Sequence, residues 1–144
     1  MLKIRVDYPS SEEEAQIVLR LTGKDGVPEP EPTLSSEEIE ALHEQVVSIH
    51  AEPSILEYAV ALVSATRTLE EVSLGASPRA SIYLVEAARA RAFLEGRDYV
   101  VPHDLKRVAP DVLRHRLLLT YEAEAEGKTQ DGVIRELLSS VPAP

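Results

Sequence analysis

Apolar residues in this chain recur mostly at three- and four-residue spacing, and each such run opens on a helix-starting signal. Ser10 or Ser11 ahead of Glu12-Glu13-Glu14 supplies a cap and an acidic first turn. The helix this predicts carries Ala15, Val18 and Leu19 on one face, runs to about Thr22 and ends at Gly23. Ser35 or Ser36 with Glu38 or Glu37 starts a second helix, with Ile39, Leu42, Val46 and Ile49 at helical spacing. Pro53 restarts the chain as a third, whose Ile55, Leu56, Ala59, Val60, Leu62 and Val63 form the broad stripe expected of a bundle member. Residues 67–76 read as a loop or short hairpin. A fourth helix, from Pro78 to about Glu95, is predicted to turn Ile82, Val85, Ala88, Ala92 and Phe93 inward and to end at Gly96. After a brief extended link, Tyr99-Val100-Val101, Pro102 begins a fifth helix through about His115. Asp104 stands in its first turn and Arg114, His115 and Arg116 in its last, the favourable charge polarity. The last helix spans Gln130 to Ser140, beyond an acidic connector from Glu122 to Glu126.

One segment breaks the helical period. Leu2-Lys3-Ile4-Arg5-Val6-Asp7-Tyr8 alternates apolar and charged residues with period two and stops at Pro9, the pattern of a half-buried strand. A lone strand makes no sheet, so its edges must pair with another copy, pair with a part of a parent protein, or fray. The expected fold class is therefore mainly α, a helical bundle with one N-terminal strand attached. The proline-rich stretch from Gly23 to Thr33 favours extended structure and reads as a linker.

At 144 residues the chain fits one domain with appendages and can bury a substantial core. It has no cysteine, which removes disulfides, thiolate metal sites and cysteine nucleophiles. No apolar run reaches membrane-spanning length and no signal-peptide core is present, so a cytoplasmic protein is expected. The formal net charge of −10 is unevenly spread: residues 9–66 hold twelve acids against Arg20 and Lys24, whereas residues 67–118 are mildly basic. An acidic balance argues against nucleic acid as the main partner, because that affinity comes largely from Lys and Arg neutralising phosphates.

Several side-chain groups invite chemical readings that their spacing does not support. Gly127-Lys128-Thr129 resembles the end of a P-loop, but that motif needs a glycine where Glu122 stands. His43 and His50 lie two helical turns apart, about 10 Å, too far to share a metal. His103 and His115 sit at the two ends of a predicted helix. No serine is paired with a histidine in a recognisable nucleophile motif, and Glu70-Glu71 and Glu12 to Glu14 read as exposed faces.

Gly75-Ala76-Ser77-Pro78-Arg79 is different. Ser77 can cap backbone N–H groups and Pro78 suits the first helical position. Arg79 then places a cation in the first turn, where the helix dipole disfavours it by a few tenths to about 1 kcal/mol. Two readings fit: a surface arginine pairing with Glu70, Glu71 or Glu86, or a cation awaiting a phosphate.

From about Leu2 to Pro142 the chain resembles the C-terminal part of MoxR-type AAA+ ATPases. The resemblance rests on Tyr8-Pro9-Ser10 with Glu12-Glu13-Glu14, on Leu74-Gly75-Ala76-Ser77-Pro78-Arg79, and on Gly96-Arg97-Asp98-Tyr99-Val100 with Asp104. His115-Arg116-Leu117 adds to it. It implies that residues 1–22 finish an α/β ATPase core, that 23–34 are a linker, and that 35–144 form a helical lid. It also implies that Arg79 is the sensor 2 residue, with Gly75 and Ser77 as its companions at the nucleotide.

The Walker A, Walker B, sensor 1 and arginine-finger elements of that family have no counterpart in this chain. It is thus expected to be a lid fragment that neither hydrolyses ATP nor binds it tightly by itself. ATP and Mg belong to the intact parent. The resemblance implies partners too: the chain's own ATPase core, neighbouring subunits of a ring, often a hexamer, and a von Willebrand factor A domain protein. The parent would drive chaperone-like maturation of protein complexes or cofactor insertion. An alternative from the composition alone is a stand-alone acidic helical adaptor for protein–protein interaction.

Overall fold

A computed structural model describes residues 2–23 and 29–144. Its helices are α1 (Ser11–Thr22), α2 (Ser36–Ser48), α3 (Pro53–Ala65), α4 (Arg79–Leu94), α5 (Pro102–Leu113), α6 (Tyr121–Ala125) and α7 (Gln130–Ser140). Two short strands, β1 (Val72–Leu74) and β2 (Leu118–Leu119), complete the described elements. The chain is mainly helical, as its periodicity predicts. Part of the predicted linker, residues 24–28, lies outside the described residues.

The helix starts follow local chemistry. Ser10 and Glu13 form a reciprocal capping box on α1, and Ser35 and Glu38 form another on α2. Pro53 and Pro102 open α3 and α5, where a missing N–H costs nothing. Gly96 ends α4 at φ +72°, with Gly96 N–H donating to Phe93 O and Arg97 N–H to Ala92 O, a Schellman closure.

The core forms where α4 packs on α5, α3 and α2, while α7 closes against α5 and α3. On α4 the buried residues are Ala80, Leu84, Ala88 and Ala92, one every four positions. The alanines in that stripe let the backbones of α4 and its neighbours approach closely. Leu62, Val63, Leu105, Val112, Leu113 and Ile134 fill the space around it. Ile82, predicted inward, is instead 57% exposed. It lies two residues from Ala80, about 200° around the helix, so the alanine stripe and Ile82 cannot both face the core. Val85 and Phe93 are half-buried against it.

The β structure differs from the sequence pattern. Leu2–Tyr8 join no ladder among the described residues. Lys3 N–H donates to Asp111 O at 2.8 Å and Lys3 O accepts from Arg114 Nη1 at 2.6 Å, with the flanking side chains exposed. Alternation alone supplies no neighbour, and among the described residues no second strand is long enough to pair with this one. The ladder that forms joins Val72–Leu74 antiparallel to Leu118–Leu119, and Ser73 Oγ donates to the carbonyls of both Leu118 and Leu119.

Two further segments depart from expectation. Residues 121–125, read as a connector, form α6, because Thr120 Oγ1 accepts from Ala123 N–H and Glu122 and Glu124 lie in its first turn. His50 lies beyond the end of α2, where it bridges Tyr99, so it does not share a helix face with His43. Its Nε2 instead lies 3.1 Å from the exposed Glu52 carboxylate.

Candidate functional site

The loop before α4 is held from beneath by the end of α3. Thr66, fully buried, donates its hydroxyl to Val63 O at 2.6 Å and accepts Ala76 N–H at 3.0 Å. Arg67 Nε donates to Ala76 O at 2.8 Å. Both backbone polar groups of Ala76 are thereby satisfied by the two residues that follow α3. Gly75 makes this approach possible: a Cβ there would lie 2.8 Å from Arg67 Cα, Arg67 Cγ and Thr66 O. The requirement is therefore steric closeness to backbone rather than an unusual φ.

The start of α4 corrects one expectation. Ser77 makes no side-chain cap hydrogen bond; its carbonyl accepts from Ala80 N–H at 2.9 Å, and Pro78 O accepts from Ser81 N–H at 3.1 Å. Pro78 is already helical, at φ −55° and ψ −25°, so the helix opens through a tight i to i+3 turn. That geometry uses the Ser77 backbone where an extended cap residue would offer its hydroxyl.

Arg79 is the first residue of α4 and its side chain is exposed. Among the described residues it makes no hydrogen bond or ion pair, so the pairing with Glu70, Glu71 or Glu86 does not form. Glu71 is taken by Lys128, whose Nζ stands 2.9 Å from its carboxylate, and each partner holds the other in its charged form. The same contact occupies the lysine of the P-loop-like Gly127-Lys128-Thr129, while Thr129 caps α7 through Gly132 N–H.

One turn along α4, Tyr83 lies under the Arg116 guanidinium, 5.0 Å from carbon to ring centroid. Arg116 also donates to Val112 O. Beside it, burial and the charges of Arg116, Lys3 and Arg114 hold the His115 pKa below its ordinary value. The His115-Arg116-Leu117 motif thus ties the end of α5 to the early turns of α4.

The far end of α4 is fixed by a second motif. Arg97 forks onto buried Asp104, Nη1 to Oδ2 at 2.9 Å and Nη2 to Oδ1 at 2.7 Å, while Val101 N–H donates to Oδ2 at 2.9 Å. Burial pushes the Asp104 pKa up, but the hydrogen bonds from Arg97 and Val101 outweigh it and the net direction is down. Those same bonds, with Glu95 on the other side, raise Arg97. Asp104 therefore does more than favour a helix dipole: it is the buried anchor of the turn between α4 and α5.

No group of three or more histidine or carboxylate side chains is gathered to hold a metal among the described residues. Magnesium takes oxygen ligands, and the guanidinium of Arg79 suits the phosphate side of a nucleotide instead. Nor is any described helix long and apolar enough to cross a membrane.

Sequence reading located Arg79 and Gly75 but missed Thr66 and Arg67. No local signal marks either residue, since a threonine and an arginine after a helix are ordinary.

The family model described as a AAA lid domain matches residues 64–137. The match spans the clamp, the Arg79 helix start, the Arg97–Asp104 anchor and most of α7. The YeaC protein of Bacillus subtilis is 39% identical over 144 residues, covering all of this chain and 45% of that protein. Chaperone MoxR1 of Mycobacterium tuberculosis is 41% identical, covering all of this chain and 40% of its own length. A crystal structure from Cytophaga hutchinsonii, of a protein described as a candidate ATPase, superposes with TM-score 0.91 at 33% identity. It takes in 100% of this chain and 46% of the other. The chain belongs to the MoxR-type AAA+ proteins, as their lid region, and spans less than half the length of the relatives it matches.

Proposed function

We propose that this chain is the lid of an ATP-driven machine and that Arg79 is its sensor 2 residue. The observation that carries the reading is an exposed guanidinium with no partner among the described residues, set at the first position of α4 by a loop whose backbone is fixed from below. A cation so placed meets phosphate without first breaking an ion pair. It can couple nucleotide charge to domain closure and stabilise charge on the transferring phosphoryl group.

In this reading residues 1–22 complete an ATPase core, 23–34 link it to the lid, and 35–144 form the lid itself. ATP and Mg bind between lid and core of the intact protein, and this chain alone holds nucleotide weakly. Gly75 and Ser77 shape the turn beside the phosphates, and Arg79 contacts them. The intact protein would assemble as a ring, a hexamer, against neighbouring subunits. It would work in the cytoplasm on maturation of protein complexes or cofactor insertion, with a von Willebrand factor A domain partner. The naming of the Mycobacterium relative as a chaperone supports the maturation role.

The test is Arg79→Ala in the intact protein that carries this chain. Phosphate-release assays are expected to show turnover lowered about tenfold or more, with the fold unchanged. Wild-type turnover together with wild-type nucleotide affinity would overturn the assignment.

A further inference from the structure

Arg67 is described above only as a clamp, yet one nitrogen performs that task. Its Nε is committed to Ala76 O, and no other hydrogen bond or ion pair engages its guanidinium among the described residues. The residue is exposed. Its stem is pressed against Gly75, where even a Cβ would lie 2.8 Å from Arg67 Cα and Cγ. The Nε contact places the guanidinium of this exposed residue beside Ala76, three residues before Arg79, and leaves its two Nη groups without a partner among the described residues. Its nearest acidic neighbours in sequence do not neutralise it, since Glu71 is held by Lys128 and Glu70 pairs with nothing among the described residues.

We propose that Arg67 is a second phosphate-binding cation, acting with Arg79 on the two sides of the Gly75–Pro78 turn to hold a polyphosphate chain. This rests on the reading of Arg79 as phosphate-facing and extends it to a residue outside the helix. A triphosphate carries several negative charges, which one arginine does not balance. An arginine already fixed through Nε loses little further freedom on binding, and its paired Nη donors match phosphate oxygens bidentately. The clamp and the ligand site are then the two edges of one planar group.

Sodium tripolyphosphate, titrated into the 144-residue chain at low ionic strength and followed by NMR of the arginine Nε–Hε groups and backbone amides, tests this. Arg67, Arg79 and the amides of residues 75–79 are expected to shift along one weak, saturable isotherm. Arg67→Gln is expected to weaken binding about fivefold, and Arg67→Lys to recover part of the loss because the charge remains. If Arg67→Gln leaves affinity unchanged while Arg79→Ala weakens it, the role given to Arg67 falls and that of Arg79 stands. If Arg79→Ala has no effect, the reading of Arg79 falls as well. Equal losses in Arg67→Gln and Arg67→Lys that track a lowered melting temperature would make Arg67 a clamp alone. Absence of any saturable shift overturns both.

Discussion

Arg97 and Asp104 meet as a fork on a carboxylate, with contacts of 2.9 and 2.7 Å, and Asp104 is fully buried while Arg97 keeps one edge in solvent. The six residues between them, with Gly96 just before Arg97, carry the reversal from α4 to α5, so this pair sets the angle at which α5 returns along α4.

Removing that carboxylate leaves the Val101 N–H without its acceptor and Arg97 with only Glu95 and the Tyr99 carbonyl. Asp104→Ala is expected to lower the unfolding free energy by about 2 kcal/mol in urea titrations, since the Val101 N–H loses its acceptor and Arg97 loses its buried partner. The pH dependence follows from the depressed folded-state pKa. An aspartate held below its ordinary 3.8 contributes stability that is complete above that value and is lost as pH falls through the folded one. Urea midpoints of the parent chain should therefore drop steeply below about pH 4, and Asp104→Asn should flatten that part of the profile. An unaltered profile in Asp104→Asn would argue that other carboxylates govern acid unfolding.

Gly75→Ala is expected to cost about 2 kcal/mol, because the added methyl meets Arg67 Cα and Thr66 O at 2.8 Å and backbone yields poorly. Hydrogen exchange should locate the damage. The Ala76 amide, protected by Thr66 Oγ1, is expected to exchange faster relative to the α5 core in the variant than in the parent chain. Uniform acceleration across the bundle would instead mean that the loop is not separable from it.

Ser10→Ala should behave in the opposite way. It removes a capping box worth about 1 kcal/mol to α1. No residue of α1 is buried, and Ile17, Val18, Leu19 and Leu21 face solvent. Helicity by circular dichroism is expected to fall by the content of α1 while the melting temperature of the bundle holds. A matching fall in melting temperature would show that α1 is coupled to the core after all.

What the sequence disclosed divides by range. Ser10 with Glu13, Ser35 with Glu38, Pro53, Pro102 and Gly96 act within one turn, and each element they mark appears close to its expected bounds. Features that depend on distant partners were hidden. The β1–β2 ladder joins residues about 45 positions apart through strands too short to show a period. In α4 the choice between an alanine stripe and a larger apolar set cannot be settled by spacing, because alanine is compatible with either face. Asp104 was correctly placed in a first turn, but its partner comes into view only once the Gly96 reversal brings Arg97 back. At the candidate site Arg79 was legible because a cation at a helix start is locally unfavourable. Thr66 and Arg67 were not, since nothing local is odd about a threonine and an arginine after a helix.

The hydrogen bonds on Ala76 have a mechanical meaning. Its N–H and C=O are both gripped by Thr66 and Arg67, the two residues that follow α3, so the turn into α4 has little freedom of its own. Any tilt of α3 is delivered to Arg79 three residues later, with Gly75 as the tight elbow and no slack to absorb the motion. α3 is thus the crank of the lid, and the reach of Arg79 is set by where that helix points.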